Sequence, residues 1–144
     1  MNPPQAKKPN RHAKVYIDGA SRGNPGRAAA GVVFYDQQGT LIEEVGRYLG
    51  ETTNNVAEYQ GLLLALQRAQ ALGIRSLEIF SDSQLLTKQL NGHYQVKSPH
   101  LLPLYRQVKQ LMQAFEYVTI RYVPRTANQR ADRVANRALE EGLK

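Results

Sequence analysis

Lys14-Val15-Tyr16-Ile17-Asp18-Gly19 is the stretch on which the fold turns. Val15 and Ile17 alternate with Tyr16, which is the period of a half-buried strand. An aspartate is disfavoured inside a strand, yet Asp18 interrupts this apolar run. Directly after it, Ala20-Ser21-Arg22-Gly23-Asn24-Pro25-Gly26 is small, polar and rich in glycine, which predicts a loop over 19–26. In open α/β sheets, ligands bind outside the carboxyl ends of parallel strands. A carboxylate at such an end therefore draws attention to the elements around it.

Working outward, residues 28–36 read as a second strand and residues 40–49 as a third. The turn Asp36-Gln37-Gln38-Gly39 makes these two a hairpin. From Asn55 onward, Leu62, Leu63, Leu66, Ala69 and Leu72 recur at helical spacing until Gly73. Residues 76–81 form a mostly apolar fourth strand. A helix is predicted over 82–91 with Gly92 after it. Pro99 marks the expected start of a further helix that buries Leu101, Leu104, Tyr105, Val108, Leu111 and Met112. Residues 117–123 alternate as a fifth strand. Thr126 is the expected cap of the last helix, with Gln129 completing a capping-box pattern. The order β-β-β-α-β-α-α-β-α implies an α/β fold: a five-stranded mixed sheet with helices on its faces.

The chain has 144 residues, which suits one domain with a substantial core. It has no cysteine, so a disulfide framework, a thiolate zinc site and a thiol nucleophile are excluded. Three histidines, with His12 read as part of a polar tail, argue against a histidine-rich metal site or a Ser-His-Asp triad. Lys and Arg number 19 against 12 acids, a net charge of +7 that points to a polyanionic partner, nucleic acid first. No apolar run is long enough to span a membrane. Residues 1–13 read as a disordered basic tail without a secretory signal, and residues 14–144 as one domain of a cytoplasmic protein.

Four acids stand at or near element ends: Asp18 on the first strand, Glu58 early in the long helix, Asp82 after the fourth strand and Asp132 early in the last helix. Each has an ordinary structural reading. Glu58 fits a capping box begun by Asn55, Asp82 fits an N-cap, and Asp132 suits the positive end of a helix dipole. Asp36 reads as a turn residue. If the first and fourth strands are adjacent and parallel, Asp18 and Asp82 converge. Several carboxylates with few histidines suit a hard cation bound through oxygen, Mg²⁺ or Mn²⁺ in its place. On the last helix, Arg130, Arg133 and Arg137 cluster opposite the apolar face, where they suit either solvent or phosphates.

Four segments in register resemble type 1 ribonuclease H. They are Tyr16 to Gly26, then Thr52-Thr53-Asn54-Asn55-Val56-Ala57-Glu58, then Phe80-Ser81-Asp82-Ser83-Gln84, and finally Val123-Pro124-Arg125 with Asn128-Gln129-Arg130-Ala131-Asp132. The resemblance runs from about Lys14 to Leu139. It implies a single ribonuclease H-like catalytic domain whose sheet has three antiparallel strands followed by parallel ones, with helices on both faces. It implies an endoribonuclease that hydrolyses the RNA strand of RNA/DNA hybrids, leaving 5′-phosphate and 3′-hydroxyl ends. By the same resemblance Asp18, Glu58, Asp82 and Asp132 are the catalytic residues and ligate two Mg²⁺ ions. Asn24, Asn54 and Gln84 then contact the RNA strand, Thr53 binds a phosphate of the DNA strand, and Arg125 joins the substrate-binding set.

The chain departs from better-known members of that family. Residues 89–102 are short and carry Lys97, His93 and His100 in place of a basic protrusion. Pro124-Arg125-Thr126-Ala127 holds no histidine, and Arg125 supplies charge there but cannot act as a general base. There is no tryptophan to stack on a sugar. The chain is thus similar to a compact form of the family, with double-stranded RNA as a second candidate substrate and a monomer as the expected state. A non-catalytic hybrid-binding module is the alternative, although a pure binder has little use for four clustered acids.

Overall fold

The computed structural model describes residues 12–144. Along the chain it forms β1 (His12–Gly23), β2 (Gly26–Tyr35), β3 (Leu41–Thr52), α1 (Asn54–Ala71), β4 (Ser76–Ser81), α2 (Gln84–Leu90), α3 (Leu102–Met112), β5 (Tyr117–Tyr122) and α4 (Gln129–Gly142). The sheet order is β3-β2-β1-β4-β5. The β1–β2 and β2–β3 pairs are antiparallel, while β1–β4 and β4–β5 are parallel. The predicted mixed sheet is therefore the observed one, and Ile17 lies opposite Ser81, so Asp82 leaves the end of β4 beside Asp18, which stays within β1 rather than near its end as expected.

Alternation along the strands divides the core into two layers. Ala13, Val15 and Ile17 of β1, Val32 and Phe34 of β2, and Leu77 and Ile79 of β4 lie on one face. They pack against α1 and against Leu86, Leu90, Leu101 and Val108. On the other face Tyr16, Val33 and Tyr35 meet Ala131 and Val134 of α4. Two glycines set how closely the helices approach. A Cβ on Gly31 would sit 2.5 Å from the Ala135 nitrogen and 2.6 Å from the Ala131 oxygen, so the α4 backbone rests directly on β2. A Cβ on Gly19 would sit 2.9 Å from Ala57 Cβ and 3.0 Å from the Glu58 nitrogen, so α1 rests directly on β1.

The expected loop over 19–26 is instead strand. β1 continues to Gly23, pairs Gly19 with Ala30 and Gly23 with Gly26, and turns only at Asn24-Pro25. The small residues there serve close packing rather than chain flexibility. Residues 1–11 of the expected tail lie outside the described residues. His12 and Ala13, assigned to that tail, open β1 instead. The His12 ring bonds Ser76 Oγ at 2.7 Å and Glu78 Oε2 at 2.8 Å. Pro99 lies before α3, which begins at Leu102 and has Pro103 in its first turn. Thr126 does not cap α4; it lies in a 3₁₀ turn, Arg125–Ala127, and Asn128 takes the cap position without a capping side-chain bond. Among the described residues no helix is long and apolar enough to cross a membrane.

Candidate active site

The cleft forms beside the middle of β1, where β4 ends and α1 and α4 begin. Asp18 is buried, 5% exposed, because both helices close over the middle of β1. The Gly19 amide donates to Asp18 Oδ1 at 2.9 Å and to Glu58 Oε2 at 3.3 Å, so one backbone donor serves two carboxylates. The close seat of α1 on Gly19 brings Glu58 within that reach.

The ordinary structural readings of these acids can now be checked. Thr53 is the N-cap of α1 and its Oγ1 accepts from Val56 N at 3.2 Å. Glu58 therefore lies beyond the first turn and takes no part in a capping box. Ser83, not Asp82, caps α2 by accepting from Leu86 N at 3.1 Å. Asp82 instead accepts from Asn128 Nδ2 at 3.2 Å. Asp132 stands in the first turn of α4, where the dipole favours an acid, and its Oδ1 accepts from Asn136 Nδ2 at 3.1 Å.

One carboxylate oxygen from each of Asp18, Glu58 and Asp82 lies within 4.8 Å of the others. Asp132 is outside this trio but lines the same cleft, a cavity of about 370 Å³ shared with Ser21, Asn54, Asn55 and Arg125. Burial first, then the charges of Glu58, Asp82 and Asp132, push the Asp18 carboxyl well above the usual range. Burial and then Asp82 do the same to Glu58, against the pull of the Gly19 amide and of Arg125. Burial and repulsion of this kind favour the protonated forms of Asp18 and Glu58, and a cation in place of the protons would relieve both. Glu58 Oε1 is buried without a hydrogen-bond partner among the described residues. An all-oxygen donor set with an unused, buried carboxylate oxygen fits a hard divalent cation.

The substrate-binding candidates are placed unequally. Asn54 N donates to Asn24 Oδ1 at 2.9 Å, and Ser21 Oγ donates to Asn54 Oδ1, a small amide network at the cleft rim. Arg125 lines the cleft and is exposed. Thr53 spends its hydroxyl on the cap. Gln84 is exposed at the first residue of α2 and does not line the cleft.

Sequence reading passed over Asn128. It is 1% exposed, and its Nδ2 donates to the Ile17 carbonyl at 2.9 Å as well as to Asp82. The residue thus ties α4 to β1 and to the carboxylate after β4. Its signal was present, an Asn four residues before Asp132, but the Thr126 capping pattern beside it drew the assignment.

A mixed 3-2-1-4-5 sheet with a carboxylate cleft where β4 ends beside β1 defines a ribonuclease H-like domain. Residues 16–138 match the family model described as reverse transcriptase-like. Ribonuclease HI of Halobacterium salinarum is 42% identical over 135 residues, which is 92% of this chain and 68% of that protein. The chain belongs to the ribonuclease HI family. A bifunctional protein of Mycobacterium tuberculosis is 43% identical over 88% of this chain, which spans only 35% of that longer protein. Among solved structures, the H. salinarum RNase H1 superposes with a TM-score of 0.88, covering 90% of this chain and 98% of that one. LC11-RNase H1, solved in complex with an RNA/DNA hybrid, does so at 0.88 with 37% identity, covering 92% of this chain and 99% of that one.

Proposed function

We propose that this chain hydrolyses the RNA strand of RNA/DNA hybrids and leaves 5′-phosphate and 3′-hydroxyl ends. Family membership supports a hybrid-directed nuclease. The observation that carries the chemistry is the convergence of Asp18, Glu58 and Asp82, with Glu58 Oε1 buried and unpaired. In this reading Asp18, Glu58, Asp82 and Asp132 hold two Mg²⁺ ions, with Mn²⁺ as a substitute. Bound there, the ions supply an activated water and charge stabilisation for the departing 3′-oxygen.

The chain's own residues do the rest. Asn128 holds Asp82 toward the cleft, and the Gly19 amide holds Asp18 and Glu58. The amides of Asn54 and Asn24 both donate and accept, which is what a 2′-hydroxyl requires and what a DNA strand lacks. Gln84 and Thr53 extend this contact set along the α2 and α1 starts, Thr53 through backbone amides as much as its engaged hydroxyl. Arg125, exposed at the cleft mouth, offsets phosphate charge there. We place the protein in the cytoplasm as a monomer.

The test is a hybrid labelled on the RNA strand, incubated with Mg²⁺, with Mn²⁺ and with EDTA. Shortened RNA in the first two and none with EDTA is the expected result. Cleavage that persists in EDTA contradicts the metal reading, and a preference for double-stranded RNA moves the substrate.

A further inference from the structure

The hybrid site leaves the arginines of α4 unused. Arg130, Arg133 and Arg137 fall within an arc of about 60° at 100° per residue and cover about 10 Å of helix. All three are exposed. Glu44 of β3 pairs with Arg130. Among the described residues Arg133 and Arg137 have no ion-pair partner within salt-bridge distance. With Glu44 and Val134 they line a hollow of about 310 Å³.

Arg130 also borders a second hollow of about 390 Å³, between the start of α4 and the sheet face that α4 leaves uncovered. Its floor is aromatic, with Tyr16 and Tyr35 in the lining and Lys14 at the edge. Tyr16 stacks on Phe80 with centroids 4.8 Å apart and meets Tyr35 edge-on at 5.8 Å. The parallel register extends this face to Glu78, Phe80 and Arg121. Glu78 is engaged by His12, and Glu44 by Arg130, so Lys14, Arg121, Arg133 and Arg137 remain without an acid within ion-pair distance among the described residues.

We infer that this continuous surface is a second nucleic-acid site, which takes a single-stranded segment. Bases stack on the tyrosine floor and phosphates follow the arginine ridge. The aromatic hollow together with an adjoining run of uncompensated cations matches one partner chemistry, a flexible polyanion carrying flat rings. A duplex keeps its base faces stacked internally and cannot use the floor. The surface is distinct from the carboxylate cleft, although Asn128 lines the hollow on one side and bonds Asp82 on the other.

The test is fluorescence anisotropy of labelled single-stranded DNA and RNA oligonucleotides with the full chain in EDTA, where the metal-free cleft repels phosphate. The double variant Arg133→Gln/Arg137→Gln, at exposed positions, weakens binding about tenfold. It also lowers the slope of log K against log salt by about 1.4, two phosphate contacts at about 0.7 each for a single strand. Tyr35→Ala weakens binding by about the same factor through lost stacking. Cleavage of a blunt hybrid by the arginine variant stays within about twofold of the parent chain, since its binding surface is separate. Unchanged oligonucleotide affinity or salt slope overturns the inference. So does equal competition by inorganic polyphosphate, which has no bases. So does a parallel loss of blunt-hybrid cleavage, which merges the ridge with the hybrid cleft. If the parent chain cleaves no hybrid, the hydrolase reading fails while the anisotropy result still decides this one.

Discussion

Two hollows of nearly equal volume, about 370 and 390 Å³, lie on either side of Asn128. One gathers Asp18, Glu58, Asp82 and Asp132 around a single arginine. The other gathers Lys14 and Arg130 over a tyrosine floor. The difference teaches how a chain of net charge +7 handles a polyanion. Cations sit exposed, where hydration keeps them inexpensive. Acids are pressed together in a cleft around the buried Asp18, where their mutual repulsion is unfavourable to the fold and would be relieved by a bound cation.

The helix α4 is the wall shared by both hollows, so displacing it disturbs both. Gly31→Ala places a Cβ into the Ala131–Ala135 backbone, which cannot yield as a flexible side chain can. The expected cost is about 1–3 kcal/mol of stability, with some loss of function on both sides. Chemical denaturation with hybrid and single-strand assays on the same preparation checks this. A neutral result would mean that α4 can shift without consequence to either hollow.

Asn128→Ala separates the two sides. It frees Asp82 and leaves the Ile17 carbonyl without its partner. Residues that orient metal ligands are worth about 10–100-fold in metal affinity, and that shift is expected in the Mg²⁺ midpoint. Isothermal titration reads it without reference to activity. Single-strand binding in EDTA should change far less. A shift in both together would mean that the two hollows act as one.

A further effect concerns stability and pH. In the metal-free protein the folded pKa values of Asp18 and Glu58 lie above the ordinary 3.8 and 4.5, raised to about 9 and about 8. Raised acids bind more protons folded than unfolded, so their contribution is intact below the ordinary values. It is lost as pH rises through the raised ones. Asp18→Asn removes the Asp18 part of that loss and leaves the Glu58 part, which comes from burial and Asp82; metal-free stability near neutral pH should rise by about 1–3 kcal/mol. Mg²⁺ should stabilise the parent chain and release protons. Thermal melts across this pH range, with and without Mg²⁺, measure both; a parent chain that gains stability with rising pH would contradict the burial argument.

Much of this was legible in sequence because it depends on element ends. An acid after an apolar strand, or in the first turns of a helix, announces itself; the parallel pairing of β1 with β4 was left conditional by the order of elements and came from the family resemblance. What was hidden depends on contact across the fold. Gly19, Gly23 and Gly26 read as a loop because composition does not distinguish flexibility from close approach. Thr126 and Asn128 both suit a cap, and only the nearness of Ile17 and Asp82 decides what Asn128 does. The tyrosine floor comes from strand register, which joins Tyr16, Tyr35 and Phe80 from three separate strands.

The most direct measurement compares the parent chain with Asp18→Asn on one RNA-labelled hybrid in Mg²⁺. The amide keeps the shape and can still accept from the Gly19 nitrogen, but it removes the charge at the centre of the cluster. The parent should cleave to 5′-phosphate products and the variant should lose about 10³-fold or more in rate, several kcal/mol of transition-state stabilisation. A variant that folds and cuts at the parent rate would contradict this.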